Sequence, residues 1–183
     1  MIRYAEALEI LLREAPAMQK LREMPAVGQV LAEAVVSGED LPPFDNSAMD
    51  GFALRVGAEG ARGGMEYDVC GAQAAGDDAA EAGAGCWEIM TGARLPQGFD
   101  AVIPVEQVEV LVRHADDRPQ RIRLNADVPH AQHIRRCGED VAQGEAVLTA
   151  GTRLEAAQMM LLAALGVAEV AAAAPPRVAL INT

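Results

Sequence analysis

The stretch PPFDNSAMDGFAL, Pro42 to Leu54, sets a carboxylate, Asp50, between a methionine and a glycine just before an apolar, strand-like run. A carboxylate held on a rigid loop can ligate a divalent metal or orient a water as a base. Asp-Gly is also ordinary turn chemistry, with the side chain accepting from nearby backbone N–H groups, and the local sequence alone favours that plainer reading. Thr91, in IMTGA, offers a hydroxyl and adjoining N–H groups to an oxyanion, with Gly92 permitting close approach. Taken alone it is a threonine that ends a strand before a turn. Arg135 and Arg136, in IRRCGED, point to opposite faces if they lie on a strand, so at most one can serve a common site. A guanidinium there can clamp phosphate oxygens. It can also simply pair with Glu139 and Asp140 at the surface, at little energetic gain. Asp45, Asn46 and Ser47 read as scaffold, an Asx or Ser turn that sets how the chain approaches Asp50.

Composition narrows the partners. The 183 residues carry 27 acids against 15 Lys and Arg, a net charge of −12. That balance argues against nucleic acid and against anionic membranes. No run of about 18 apolar residues occurs. The first residues, MIRYAEALEILLREA, hold acids where a signal peptide would hold an apolar core. Three cysteines, Cys70, Cys86 and Cys137, with no CxxC pair, fit reduced thiols in a cytoplasm. His130 and His133 would share a face only on a helix; Pro129 before them and a strand-like run after them argue against a metal pair. With 51% hydrophobic but only 3% aromatic residues, the core must be aliphatic.

The elements that must position these groups fall into two kinds. Tyr4 to Ala15 reads as an amphipathic helix, with Ala5, Leu8, Leu11, Leu12 and Ala15 on one stripe. A second helical pattern, Val27, Val30, Leu31 and Ala34, follows Pro25, and Val35–Val36 can begin a strand. From Gly51 to about Arg136, short strand patterns alternate with Gly-, Ala- and Asp-rich loops: FALRV, YDVCG, CWEIMTG, DAVIPVEQVEVLV, RIRLN and HIRR. DDAAEAG, between two of them, reads as a solvated hairpin loop. Later, AVLTAGTRL suggests a strand and turn, and Leu154 to Leu165 a helix stopped by Gly166. The Met159–Met160 pair reads as core or interface packing. VAEV is extended, AAAAPP a linker, and RVALINT the start of a further apolar strand. With nothing after it to cover that strand, the chain reads as a fragment cut just inside another domain; the alternative is a strand that pairs back into this domain's own sheet.

Taken in order, FDNSAMDG, IMTGA, DAVIPVE, IRRCGED, AGTRL, LGVAEV and PRVALINT resemble the N-terminal half of the MoeA-type molybdopterin molybdenumtransferases, whose relatives include the C-terminal domain of gephyrin. The resemblance implies an α+β fold: a mostly-β domain, 44–140, inserted into a helix-rich dimerisation or linker domain made of 1–43 and 141–173. Residues 174–183 would then be a linker and the first strand of an absent α/β domain that binds the pterin nucleotide. Three positions depart from the family's usual pattern. Glu88 stands where Arg is common, Arg94 where Pro is common, and His133 where Asn is usual.

The same resemblance implies an activity: insertion of molybdate into adenylated molybdopterin with release of AMP. It implies Asp50, Thr91 and Arg135 as catalytic groups, with Gly92, Arg135 and Asp140 binding substrate. Asp50 would be a ligand for a divalent ion, Mg2+. It implies a homodimer in which the partner subunit's C-terminal domains complete the site, a fragment inactive on its own, and a cytoplasmic protein. The alternative expectation is a non-catalytic dimerising scaffold of the same architecture. A third is a stand-alone sugar or nucleotide binder built on the small β domain.

Overall fold

The computed structural model describes residues 2–15, 19–78, 80–81, 83–175 and 179. Along the chain the elements are α1 (Tyr4–Glu14), β1 (Lys20–Glu23), β2 (Val35–Val36), β3 (Asn46–Ser47), β4 (Gly51–Leu54), β5 (Glu66–Gln73) and β6 (Cys86–Ile89). They continue as β7 (Ala101–Pro104), a single 3-10 turn (Val105–Gln107), β8 (Val108–Arg113), β9 (Pro119–Leu124), β10 (Ile134–Arg135), β11 (Ala146–Leu148), α2 (Ala156–Ala164) and β12 (Val170–Ala173). Contacts divide the chain into two compact units: residues 39–143, and the flanking stretches up to Gly38 and from Gly144 on.

In the unit 39–143 six strands form a curled half-barrel sheet in the order β7-β4-β6-β5-β9-β8. Alternation along each strand sorts side chains to two faces. Phe52, Leu54, Cys86, Ala101, Ile103, Ile122 and Leu124 gather on one face. Ala53, Ile89, Val102, Ala93 and Phe99 gather on the other. β4 and β7 are therefore buried on both faces, every residue of each. The apolar stretch 101–113 reads as one strand but forms two, because the 3-10 turn breaks it between β7 and β8. β5 and β6 pair in parallel. A parallel pair cannot be joined by a hairpin, so DDAAEAG belongs to a crossover and not to a hairpin loop. Cys86 lies in the core, where burial pushes its thiol up to about 12.

The flanking unit is less helical than its composition suggests. Among the described residues it holds two helices, of 11 and 9 residues, and four short strands. A helix-rich domain is not what forms. The helical pattern after Pro25 is not realised: Gly28 adopts φ +92, a left-handed turn that a helix cannot contain. Val30 and Leu31 then pair with Arg153 and Ala172. Three of the four alanines read as a linker, Ala171–Ala173, lie in β12, paired along its length with β1, from Lys20↔Ala173 to Glu23↔Val170. Alanine's helix propensity yields here to pairing and burial; Leu31 and Ala172 are fully buried. α2 begins two residues later than the sequence pattern, at a capping box between Glu155 and Gln158. It buries Leu162, while Met160 stays exposed and Met159 packs against Leu31, Leu154, Leu162 and Val170. α1 buries none of its residues. The strand expected in RVALINT lies outside the described residues apart from Ala179. No helix among the described residues is long and apolar enough to cross a membrane.

One glycine sets how the chain enters β4. A Cβ on Gly51 would fall on the carbonyl oxygen of Ile103 across the sheet, so the residue after Asp50 must lack a side chain. Gly51→Ala should lower unfolding stability by about 1–3 kcal/mol, the usual cost of overpacking, in a urea titration. An unchanged midpoint would contradict the close approach.

Candidate functional site

The loop that carries Asp50 is held on both sides. On one side, Ser47 N–H donates to Ala93 O (3.0 Å), Gly92 N–H to Ser47 O (2.8 Å) and Leu95 N–H to Asp45 O (2.9 Å). On the other, β10 pairs with β3, Ile134 opposite Ser47 and Arg135 opposite Asn46, and Ala48 N–H donates to His133 O (2.9 Å). The result is a three-stranded ribbon with 45–48 in its centre. Ser47 forms the expected hydroxyl turn: its Oγ accepts from Met49 N–H and donates to Met49 O. Asp45 takes no part in that turn. Its carboxylate accepts from Cys137 N–H (2.8 Å) and from Arg136 Nη1 (2.6 Å).

Asp50 and Thr91 meet at the end of this ribbon. Asp50 Oδ1 accepts from Thr91 N–H at 2.7 Å and from the Thr91 hydroxyl at 2.9 Å. The backbone is pinned as well, since Val105 N–H donates to Asp50 O at 3.0 Å. The Thr91 N–H first, and its hydroxyl second, hold the Asp50 carboxyl below its ordinary value. Gly92 supports the geometry with φ +77, which L side chains rarely adopt. Asp50 Oδ2 has no partner among the described residues, and the residue is exposed. Such an oxygen fits one place in the shell of Mg2+, which commonly takes one or two carboxylates with waters and substrate phosphates. No cluster of three or more His, Cys, Asp or Glu among the described residues forms a cage for a metal.

Arg135 is differently placed. Its Nε donates to Glu139 at 2.7 Å and its Nη2 to Asp140 at 2.5 Å. Both partners named in the sequence as surface alternatives are thus engaged, and Asp140 orients Arg135 directly. Arg136 points the other way, to Asp45, as strand alternation requires. Glu88 lies on β6 opposite Phe52 and lines two hollows of about 140 and 340 Å³ with Arg118 and Pro119. Neither hollow is lined by Asp50, Thr91 or Arg135. His133 sits at φ +52, a conformation that asparagine tolerates better than most residues. Two residues escaped the sequence reading of the site. In the sequence Asn46 reads as turn scaffold, and Arg94 only as a departure from the family pattern. The signal available was alternation: Phe44 and Asn46 share one face of the ribbon, Asp45 and Ser47 the other.

The Asp50 carboxyl should titrate below the ordinary aspartate range in a carbon-detected NMR titration. Thr91→Val removes the hydroxyl donor and keeps the N–H, so the value should move part of the way up and stay low. Because the folded value is the lower one, this contribution to stability is present above the unfolded value and is lost as pH falls through the folded one. An ordinary value in the unsubstituted protein would contradict the contact.

Residues 2–166 match the profile of the MoeA N-terminal region (domain I and II). A molybdopterin molybdenumtransferase of Synechococcus elongatus is 36% identical over 98% of this chain and 45% of its own length. That of Haemophilus influenzae is 38% identical over 79% of this chain and 34% of its own. A crystal structure of a molybdopterin biosynthesis MoeA protein from Pyrococcus horikoshii superposes with a TM-score of 0.76 at 36% identity, over 94% of this chain and 46% of that one. A second Pyrococcus MoeA structure gives 0.78 at 27% identity over 94% of this chain and 44% of its own. The chain spans less than half the length of these relatives. With its motifs, its curled sheet and its matched length together, the chain belongs to the MoeA N-terminal region family, domains I and II.

Proposed function

We propose that these residues form one wall of a molybdenum insertase site, where molybdate enters adenylated molybdopterin and AMP leaves. The observation that carries this reading is the Asp50–Thr91 contact, in a chain whose relatives are molybdopterin molybdenumtransferases. The proposed substrates, molybdate, phosphates and dithiolene, are all anionic and need fixed N–H dipoles or cations around them. Asp50 is ionised at neutral pH, with one oxygen engaged and one available. It would orient a water, or offer its available oxygen to a Mg2+ that would supply positive charge to the anionic substrates. Thr91 fixes Asp50, and Gly92 leaves room beside it for substrate oxygens; a Cβ there would meet nothing within 4 Å. Arg135, steadied by Glu139 and Asp140, completes this side. The remaining wall belongs to sequence beyond the matched region, supplied by the partner subunit of a cytoplasmic homodimer. The 183 residues alone turn nothing over.

A second reading rests on α1. Its Leu11 and Leu12 are 69% and 71% exposed on a helix that buries nothing in its own chain. An uncovered apolar stripe suits assembly, and a dimerising scaffold would need that stripe and not Asp50.

Molybdate-dependent AMP release separates the two. With a chain of full family length containing these residues, Asp50→Asn should bind nucleotide and release AMP at least about 100-fold more slowly, the usual scale for losing a positioned acid–base or metal-binding group. Equal turnover by both proteins would reduce Asp50 to a turn residue. A folded, dimeric protein with no turnover would leave the scaffold reading in its place.

A further inference from the structure

The ribbon around Asp45–Ala48 presents a row of three polar side chains. Asn46 stands opposite Arg94 on one flank and opposite Arg135 on the other. Directly opposed residues project from the same face, so the order across that face is Arg94, Asn46, Arg135. Phe44, two residues before Asn46, shares the face, and the Arg94 guanidinium stacks over its ring at 4.8 Å. Asp45 and Arg136 pair on the opposite face.

Three features set this row apart from an ordinary surface. Asn46 is 8% exposed; its side chain has no hydrogen-bond partner among the described residues, and its amide atoms are not among the fully buried ones. Arg94 has no carboxylate within ion-pair distance among the described residues, although most arginines of this unit have one. Arg135 is held by two acids, Glu139 and Asp140, so that trio is negative overall. Arg94 is therefore the guanidinium of this row that no acid pairs among the described residues, beside a trio with one net negative charge. Its Cζ lies 4.8 Å from the centre of the Phe44 ring, and a guanidinium presents N–H donors in a fork geometry that suits a tetrahedral oxyanion.

We propose that Arg94, with the Asn46 amide beside it, binds a tetrahedral oxyanion, and that Arg94, not Arg135, supplies the uncompensated charge. The proposal rests on the insertase reading for its choice of anion, since molybdate and the phosphates of a nucleotide share this chemistry. Asn46 contributes side-chain N–H donors. Arg135, already anchored, contributes at most its remaining N–H groups and holds the edge of the row. Arg94 then determines specificity in a loop that begins at Thr91.

The test is an NMR titration of the 183-residue chain with sodium molybdate and, separately, with inorganic phosphate. Either anion should move the Arg94 Nε–H and the Asn46 side-chain amide signals. Arg94→Gln should weaken binding by about tenfold or more, Arg94→Lys by less, and Arg135→Gln by less than Arg94→Gln. Tighter binding of molybdate than phosphate assigns the place to the metalate; the reverse assigns it to a nucleotide phosphate. If neither anion moves Arg94 or Asn46, or if Arg94→Gln binds like the unsubstituted chain, the proposal falls. Its failure is separable from that of the insertase reading. AMP release that survives Arg94→Gln unchanged but is lost in Asp50→Asn overturns only the role of Arg94. Anion binding at Arg94 without any turnover by the full-length chain overturns only the insertase.

Discussion

Three residues, Val105–Gln107, join β7 to β8, and these two strands lie at opposite edges of a six-stranded sheet. A flat sheet cannot satisfy that connection. Strands sit roughly 4.8 Å apart, so a span of five intervals exceeds what three residues can reach at about 3.5 Å each. The sheet must curl until its edges approach. Once it does, β4 lies between β6 and β7 with both faces covered, and the residue just before β4 is fixed in space. Asp50 is that residue. Its carbonyl is tied to Val105, the first residue of the same short turn. The curl and the placing of the carboxylate are two consequences of one connection.

Around that fixed point the electrostatics are local. The chain carries −12 overall, which repels anions at long range, but over a Debye length of roughly 8 Å the nearby donors dominate. Thr91 supplies an N–H and a hydroxyl to Asp50, and Gly92 keeps the adjacent surface open. Elsewhere on the half-barrel, arginines are matched to acids: Arg62 to Asp127, Arg121 to Asp68, Arg123 to Glu66 and Glu109. These exposed pairs add little stability. They do cancel charge, which makes an unmatched guanidinium at the ribbon a local feature of the field.

Much of the half-barrel was legible because period-2 alternation and turn residues are local signals. Gly51–Leu54, Cys86–Ile89 and Pro119–Leu124 fall on strand patterns visible in the residues themselves. Pairing is not local, and there the sequence misled. Nothing in DDAAEAG distinguishes a hairpin from the parallel crossover that β5 and β6 require. Ala171–Ala173 has helix or linker composition, and only a partner about 150 residues away makes it a strand. At the site, residue types were readable but their mutual contacts were not. The sequence offered Asp50 and Thr91 separately and could not say that one accepts two hydrogen bonds from the other. It named Glu139 and Asp140 as partners for Arg135 only as one of two options. Asn46 was missed because its burial comes from strands on both flanks, which no window around residue 46 contains.

The central claim is that Asp50 is held by Thr91 and not by the turn alone. Amide hydrogen exchange at Thr91 is the sharpest test, because Thr91 is exposed and, among the described residues, its N–H finds an acceptor only in the Asp50 carboxylate. The expected result is a protected Thr91 amide, exchanging at a rate comparable to Gly92 and Ser47 in the ribbon, and loss of that protection when Asp50 is replaced by Ala. Exchange of Thr91 at the rate of a free loop, with Gly92 and Ser47 still protected, would contradict it.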